Sequence, residues 1–274
     1  WCAAVAAAAA ATDDDSDDAT GAALPDQHWR HCNQTLAVDN IVLHTDGMEK
    51  FANDAFFNFA NKRLQIFRII ASATQEEVLD SACPDLFVGL LFVDMMRSDE
   101  VVMVRGIRRH CHYRGYLHTF RYAGPFEQPD DEFDVLCVDA VYCHHFAPSA
   151  VVRDLNKALM GFATVRGDER RGGEKWVTTG HWGCGAFGGD KAHKFLQQVM
   201  AATLSGVRLH YSTFRSDSEK AQLGSLLREC RHLTVAQLFG IMIDYHESDS
   251  EMRFAEFAVH QARATAAGAA AADA

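Results

Sequence analysis

Apolar residues fall into two patterns along the chain. Short runs rich in β-branched residues, at 40–43, 101–105, 117–122, 135–140, 176–179 and 207–212, have the length and composition of strands. Between them lie longer amphipathic stretches with apolar positions three and four apart, which predict helices with one buried face. Pro84 and Asp85 open one running to about Met96, as a first-turn proline and acid should. Its Leu86, Leu90, Leu91, Met95 and Met96 are expected in the core. Pro148 opens a helix to about Met160, Asp190 caps one through Thr203, and Ser216 and Thr234 start two more. Strands alternating with helices predict a single α/β domain, a mixed sheet with helices on both faces.

The pattern fails at both ends. The head, 1–23, is rich in Ala and Asp, and the tail, 262–274, is rich in Ala; neither is expected to bury a patterned face. The folded unit is therefore expected over 24–261. The chain opens on Trp1, which suggests a truncated or processed start, and its first apolar run lacks the preceding basic residue of a secretory signal.

Composition excludes several classes. With 48% hydrophobic and 23% charged residues among 274, the chain is neither wholly disordered nor a coiled coil. It has no apolar run of membrane-spanning length, so no membrane partner is expected. Lys and Arg number 26 against 37 Asp and Glu, and 26 − 37 = −11. Removing the head's five aspartates leaves −11 + 5 = −6, a poor surface for duplex nucleic acid. An anionic ligand would need local help. The eight scattered cysteines fit reduced thiols and a nuclear or cytoplasmic setting.

Candidate chemistry concentrates in Thr179-Gly180-His181-Trp182-Gly183-Cys184-Gly185-Ala186-Phe187-Gly188-Gly189-Asp190, between a predicted strand and a predicted helix. Glycines there let backbone N–H groups turn toward a phosphate, and the helix start adds partial positive charge. Gly183-x-Gly185-x-x-Gly188 also fits a dinucleotide fingerprint, but no acid lies between Asp190 and Asp217 to hold a ribose. That disfavours a nicotinamide dehydrogenase and leaves phosphate binding intact. The second signal is Gln75-Glu76-Glu77. Adjacent carboxylates diverge, so at most one is expected to face a buried ligand, and taken alone the pair reads as two solvated acids on a surface turn.

Four segments change that reading: Phe59-Ala60-Asn61-Lys62, Gln75-Glu76-Glu77-Val78, Tyr113-Arg114-Gly115-Tyr116 and the glycine loop, in this order. Over about 24–246 the chain resembles the catalytic domain of poly(ADP-ribose) glycohydrolase. The resemblance implies a macrodomain-like fold and hydrolysis of ribose–ribose bonds in poly(ADP-ribose) to release ADP-ribose, in reversal of ADP-ribosylation. Its implied partners are the polymer and ADP-ribosylated proteins, with no cofactor and no metal. It makes Glu77 the catalytic glutamate and Glu76 the acid that helps bind the ribose beside the bond, with Asn61 helping to place that acid. It also makes Tyr116 the ring stacked on adenine, Phe214 the ring against adenine and its ribose, and Gly185, Ala186 and Phe187 the loop whose amides hold the diphosphate. Breaking a glycosidic bond needs a proton for the leaving oxygen and stabilisation of an oxocarbenium-like centre. One glutamate can donate that proton and then deprotonate water.

The chain departs from the family at three places. Gln65, Ile66 and Phe67 stand where the family has three glycines of a second loop, in a stretch, 63–68, that reads more like a strand. Asn58 replaces an aspartate, and His181, counted by position among the substrate-binding residues, replaces the asparagine of the family's Thr-Gly-Asn-Trp. Side chains at 65–67 would stand where a diphosphate approaches, so the alternative is a catalytically silent ADP-ribose-binding module. Elsewhere, His110-Cys111-His112 and Cys143-His144-His145 carry metal-ligand residue types without a C-x-x-C pair, and read as scattered surface residues. Cys137 reads as core, and Cys184 as a packing residue ahead of an activated thiol.

Overall fold

The computed structural model describes residues 26–50, 54–64, 74–127, 132–170, 172–248 and 250–272. The Ala/Asp head and Gln65, Ile66 and Phe67 lie outside the described residues. The elements run α1 (Gln27–His31), β1 (Ile41–His44), β2 (Ala55–Ala60), α2 (Gln75–Ala82), a 3-10 helix (Pro84–Leu91), β3 (Val102–Arg108), β4 (Cys111–Arg114), β5 (Arg121–Pro125) and β6 (Glu132–Asp139). They continue through α3 (Pro148–Arg166), β7 (Trp176–Thr179), α4 (Lys191–Ser205), β8 (Arg208–Ser212), α5 (Asp217–Cys230), α6 (Val235–Glu247) and α7 (Phe254–Ala272). The main sheet has the order β1-β8-β7-β2-β6-β3; every neighbouring pair is parallel except β3, which returns antiparallel to β6.

Side chains alternate across a strand, and β6 shows what that does here. Val135 and Cys137 join a cluster with Leu79, Leu86 and Val104, while Leu136 and Val138 join one with Leu155, Phe162 and Val199. One face is therefore covered by α2 and the 3-10 helix, the other by α3 and α4. The chain forms the α/β fold that its pattern predicts, a mixed sheet with helices on both faces.

Four local expectations change. Strand β2, Ala-Phe-Phe-Asn-Phe-Ala, sits between β7 and β6, yet it has no β-branched residue to announce it. Central parallel strands read as continuous apolar runs because both faces are buried, and here Phe carries that role. Residues 117–120, expected in a strand, form the turn of the β4–β5 hairpin: Leu117 has φ 52° and Thr119 N donates to Tyr116 O at 3.1 Å. Gly115 sets that turn, since a Cβ there would stand 2.0 Å from Thr119 O. The Pro84 helix is 3-10 and ends at Leu91; its tighter repeat turns the stripe away, leaving Leu86 and Met96 buried but Leu91 and Met95 exposed. The boundary at 261 also falls, since the Ala-rich tail continues α7, as alanine's helix propensity favours; Ala262 is buried, its carbonyl accepting from His232 Nε2 at 2.9 Å, while 263–270 are almost wholly exposed, as expected of a stretch with no patterned face.

Candidate active site

In the five parallel strands the carboxyl ends share one edge of the sheet, where open α/β sheets hold their ligands. Asn61 follows β2, the glycine loop follows β7, and Phe214 follows β8. Gly180 closes the gap between two of these strand ends: a Cβ on it would stand 2.9 Å from Ser212 O and 3.5 Å from the Phe59 ring.

The two glutamates occupy the first turn of α2, and both are buried, so the surface-turn reading is overturned. They diverge, as neighbours on a helix must. Glu76 turns toward β2, where its Oε2 accepts from Asn61 N at 3.2 Å. Glu77 closes a capping box, accepting from Thr74 N at 2.8 Å and from the Thr74 hydroxyl. Gln75 pins the same turn to the sheet, its Oε1 accepting from Phe59 N at 2.8 Å. Asn61 thus reaches Glu76 through its backbone, while its own Oδ1 accepts from Arg63 N at 3.1 Å.

Tyr116 and Phe214 meet although they stand 98 positions apart in the chain (214 − 116 = 98), with ring centroids 5.2 Å apart at 55°. Burial raises the Tyr116 hydroxyl's pKa, and the Glu77 carboxylate raises it further, which places this ring within electrostatic reach of the helix start. Phe214 is 53% exposed and held at φ 47°, its amide donating to Ser212 Oγ at 3.2 Å.

The glycine loop is anchored below and open above. Trp182 is fully buried and donates from Nε1 to Val138 O at 2.9 Å. Gly183 has φ 72°, and a Cβ there would stand 2.7 Å from that of Ala140. Gly185 and Ala186 are exposed, and Phe187 is half-buried with its carbonyl accepting from His145 Nε2 at 2.7 Å. Beneath the loop lies a buried charge network that the sequence analysis missed. Asp154 accepts from Lys194 Nζ, from Arg153 at 2.9 Å and from Val141 N at 3.1 Å. Arg153 and Lys157 both bind Asp139. Only the Arg153, Asp154 and Lys157 spacing on one helix hinted at it.

The departures from the family have definite places. His181 is held at both ring nitrogens, 3.2 Å from Tyr211 Oη and 2.9 Å from Glu219 Oε2, with burial lowering its pKa. Asn58 is buried, its Nδ2 facing Cys137 Sγ at 3.5 Å and its Oδ1 without a hydrogen-bond partner among the described residues. Cys137 is core; Cys184 is no activated thiol, since burial pushes its pKa up to about 12. His110 pairs with Asp85 at 3.3 Å, Cys143 and His144 are exposed, and His145 is buried under the glycine loop rather than at the surface; the described residues bring no three such groups together as a metal site.

Asp80, one turn beyond the glutamates, was also missed. It is buried beside Asn58, Glu76 and Cys137, round a cavity with room for about one water (≈ 10 Å³). Burial and the Glu77 carboxylate raise its pKa from 3.8 to about 7. The unfolded chain therefore releases this proton first, and stability falls as pH rises from about 4 to about 7 and is level above. Asp80→Asn removes that loss. Urea titrations are expected to show the variant more stable than the parent at pH 8, by at most about 4 kcal/mol, and equal to it at pH 4. The same difference at both pH values would refute the assignment.

Residues 26–221 match the family described as Poly (ADP-ribose) glycohydrolase (PARG), Macro domain fold. The chain belongs to the poly(ADP-ribose) glycohydrolase family. Poly(ADP-ribose) glycohydrolase 2 of Caenorhabditis elegans is 30% identical over 219 residues, covering 72% of this chain and 44% of that protein. Poly(ADP-ribose) glycohydrolase 1 of the same organism is 27% identical over 213 residues, covering 68% and 26%. The chain thus spans between about a quarter and a half of the length of these glycohydrolases. The solved glycohydrolase of Thermomonospora curvata covers 69% of this chain and 75% of its own at 14% identity, with a TM-score of 0.48, too low to bear on the site. Membership in the glycohydrolase family carries the macrodomain fold with it.

Proposed function

We propose that this domain hydrolyses ribose–ribose bonds in poly(ADP-ribose) and releases ADP-ribose, with Glu77 as its general acid and base. The observation that carries the reading is the position of Glu77. It is buried at the start of α2, on the sheet edge where the Tyr116–Phe214 pair and the open Gly185-Ala186-Phe187 loop also lie. In this reading adenine packs against Tyr116 and Phe214, and the diphosphate takes amides of the exposed Gly185-Ala186 turn, with no Cβ at Gly185 or Gly188 to obstruct it. Glu76, steadied by the Asn61 amide, holds the ribose beside the scissile bond.

The chemistry balances within the site. Protonated Glu77 gives its proton to the leaving ribose oxygen as the bond from the anomeric carbon breaks, leaving an oxocarbenium-like centre. The ionised Glu77 then takes a proton from water as the water oxygen bonds to that carbon, which regenerates the acid. The bound diphosphate stabilises the cation.

Two observations favour a second reading, a module that binds ADP-ribose without turnover. His181 is occupied by Glu219 and Tyr211, and Asn58, where the family has a carboxylate, leaves a buried oxygen unpartnered among the described residues. Both readings share the adenine site. Replacing Tyr116 or Phe214 by Ala is expected to weaken ADP-ribose binding by roughly 1–3 kcal/mol, the range for base stacking on aromatic side chains. Calorimetry checks it, and unchanged affinity in both variants rules the placement out. Release of ADP-ribose from polymer, followed by chromatography, then separates enzyme from reader.

A further inference from the structure

Charge in this acidic chain is unevenly placed. From Val101 to Phe126 there is no Asp or Glu, while Arg105, Arg108, Arg109, Arg114 and Arg121 and three histidines fall in the same stretch, in a protein of net charge −11. Most of these arginines have evident structural partners. Arg108 pairs with Glu132 at 2.5 Å and Arg105 with Asp168 at 3.9 Å. Arg109 lies over the Tyr113 and Phe126 rings at 5.6 and 5.0 Å and donates to Cys111 O. Two arginines remain. Arg114 and Arg121 are both exposed, and neither has a carboxylate partner among the described residues.

Their placement sharpens the point. Arg114 and Arg121 are paired directly across the β4–β5 hairpin, where like charges repel and cost stability. Arg121 spends part of its donor fork on the turn, donating to His118 O at 3.0 Å and Phe120 O at 2.6 Å; the Arg114 guanidinium has no such contact among the described residues. The turn they flank carries Tyr116, which meets Phe214. A pair of like charges beside a nucleotide site is relieved when an anion sits between them.

We propose that Arg114 and Arg121 form a second anion site that holds the diphosphate of the ADP-ribose unit next to the one in the candidate active site. The proposal rests on the substrate reading above and extends it. Each unit of the polymer brings one diphosphate, so a chain entering past Tyr116 presents the neighbouring one to the hairpin. The site selects polymer over monomer, and it supplies locally the positive charge that the acidic domain lacks.

The test compares ADP-ribose with a short poly(ADP-ribose) of defined length, binding to the full chain at 50 and 200 mM NaCl by fluorescence anisotropy. Glu77→Gln serves as the parent so that polymer survives the measurement. Adding Arg114→Gln, which leaves the turn contacts of Arg121 in place, is expected to weaken polymer binding roughly fivefold or more and to lower the salt slope by about 1, with ADP-ribose affinity unchanged. Arg114→Glu should weaken polymer binding further. Unchanged polymer binding overturns the proposal. So does an equal loss for monomer and polymer, which would place Arg114 in support of the Tyr116 turn. An equal loss against a single-stranded DNA of matched charge also overturns it, in favour of unselective polyanion binding. If the parent binds no monomer, the active-site reading fails by itself, because the polymer arm still reports on the hairpin; a parent that binds neither sinks both.

Discussion

Glu77→Gln is expected to lower release of ADP-ribose from polymer by roughly 10²-fold or more while leaving ADP-ribose affinity within about twofold. The substitution isolates proton transfer because the fold tolerates it. Glu77 is the third helical residue of a capping box with Thr74, and Gln serves at that position as well as Glu, its carbonyl oxygen accepting the same Thr74 amide. Thermal melting should be nearly unchanged. On the proposed mechanism, what is lost is a carboxylic proton for the leaving oxygen and a base for water. Glu76→Gln is the informative companion. Its carbonyl can still accept from Asn61 N, but a charged contact to ribose is weakened, so affinity and rate should fall together. Polymer hydrolysis by chromatography and affinity by calorimetry, on the chain as it stands and both variants, separate the roles. A Glu77→Gln chain keeping more than about a third of the parent rate would remove Glu77 from the chemistry. A parent that binds ADP-ribose and releases none would favour the silent module.

How much of this was legible beforehand depended on how local each signal is. The glycine loop is a contiguous strand–turn–helix, and its meaning depends on backbone freedom at a few adjacent residues, which glycine reports directly. Helix starts at Asp190, Ser216 and Thr234 were equally readable, since each side chain caps an amide three residues ahead. Burial of Glu76 and Glu77 was not readable from composition. It depends on Asn61, Phe59 and Thr74 meeting the start of α2, and on the central strand β2, whose Phe-rich run gave no β-branched cue. The Tyr116–Phe214 contact joins two turns that only the sheet brings together. Asp80 lies beyond the Gln75-Glu76-Glu77-Val78 segment, and its raised pKa depends on how fully α2 is covered.

The buried charge network is the least legible feature, and its disruption carries the largest expected cost to stability. Asp154 is fully buried and serves Lys194, Arg153 and the Val141 amide together, and Lys194 is itself fully buried, its ammonium 5.2 Å from the centre of the Trp182 ring. Removing one partner of a buried pair leaves the other charge without compensation in a place water cannot reach. Asp154→Ala is therefore expected to destabilise the fold by about 3–5 kcal/mol, read as a lower urea midpoint at constant slope. Lys194→Met added to it removes the stranded cation while keeping most of the packing volume, and should recover part of the loss. Arg153 retains Asp139 in both variants, so the recovery reports on Lys194. If the double variant is no more stable than Asp154→Ala, the cost lies in the Val141 amide and the strand end instead. In that event Lys194 supports the loop through its contact with Trp182, and Lys194→Met alone should then cost little in urea yet weaken ADP-ribose binding.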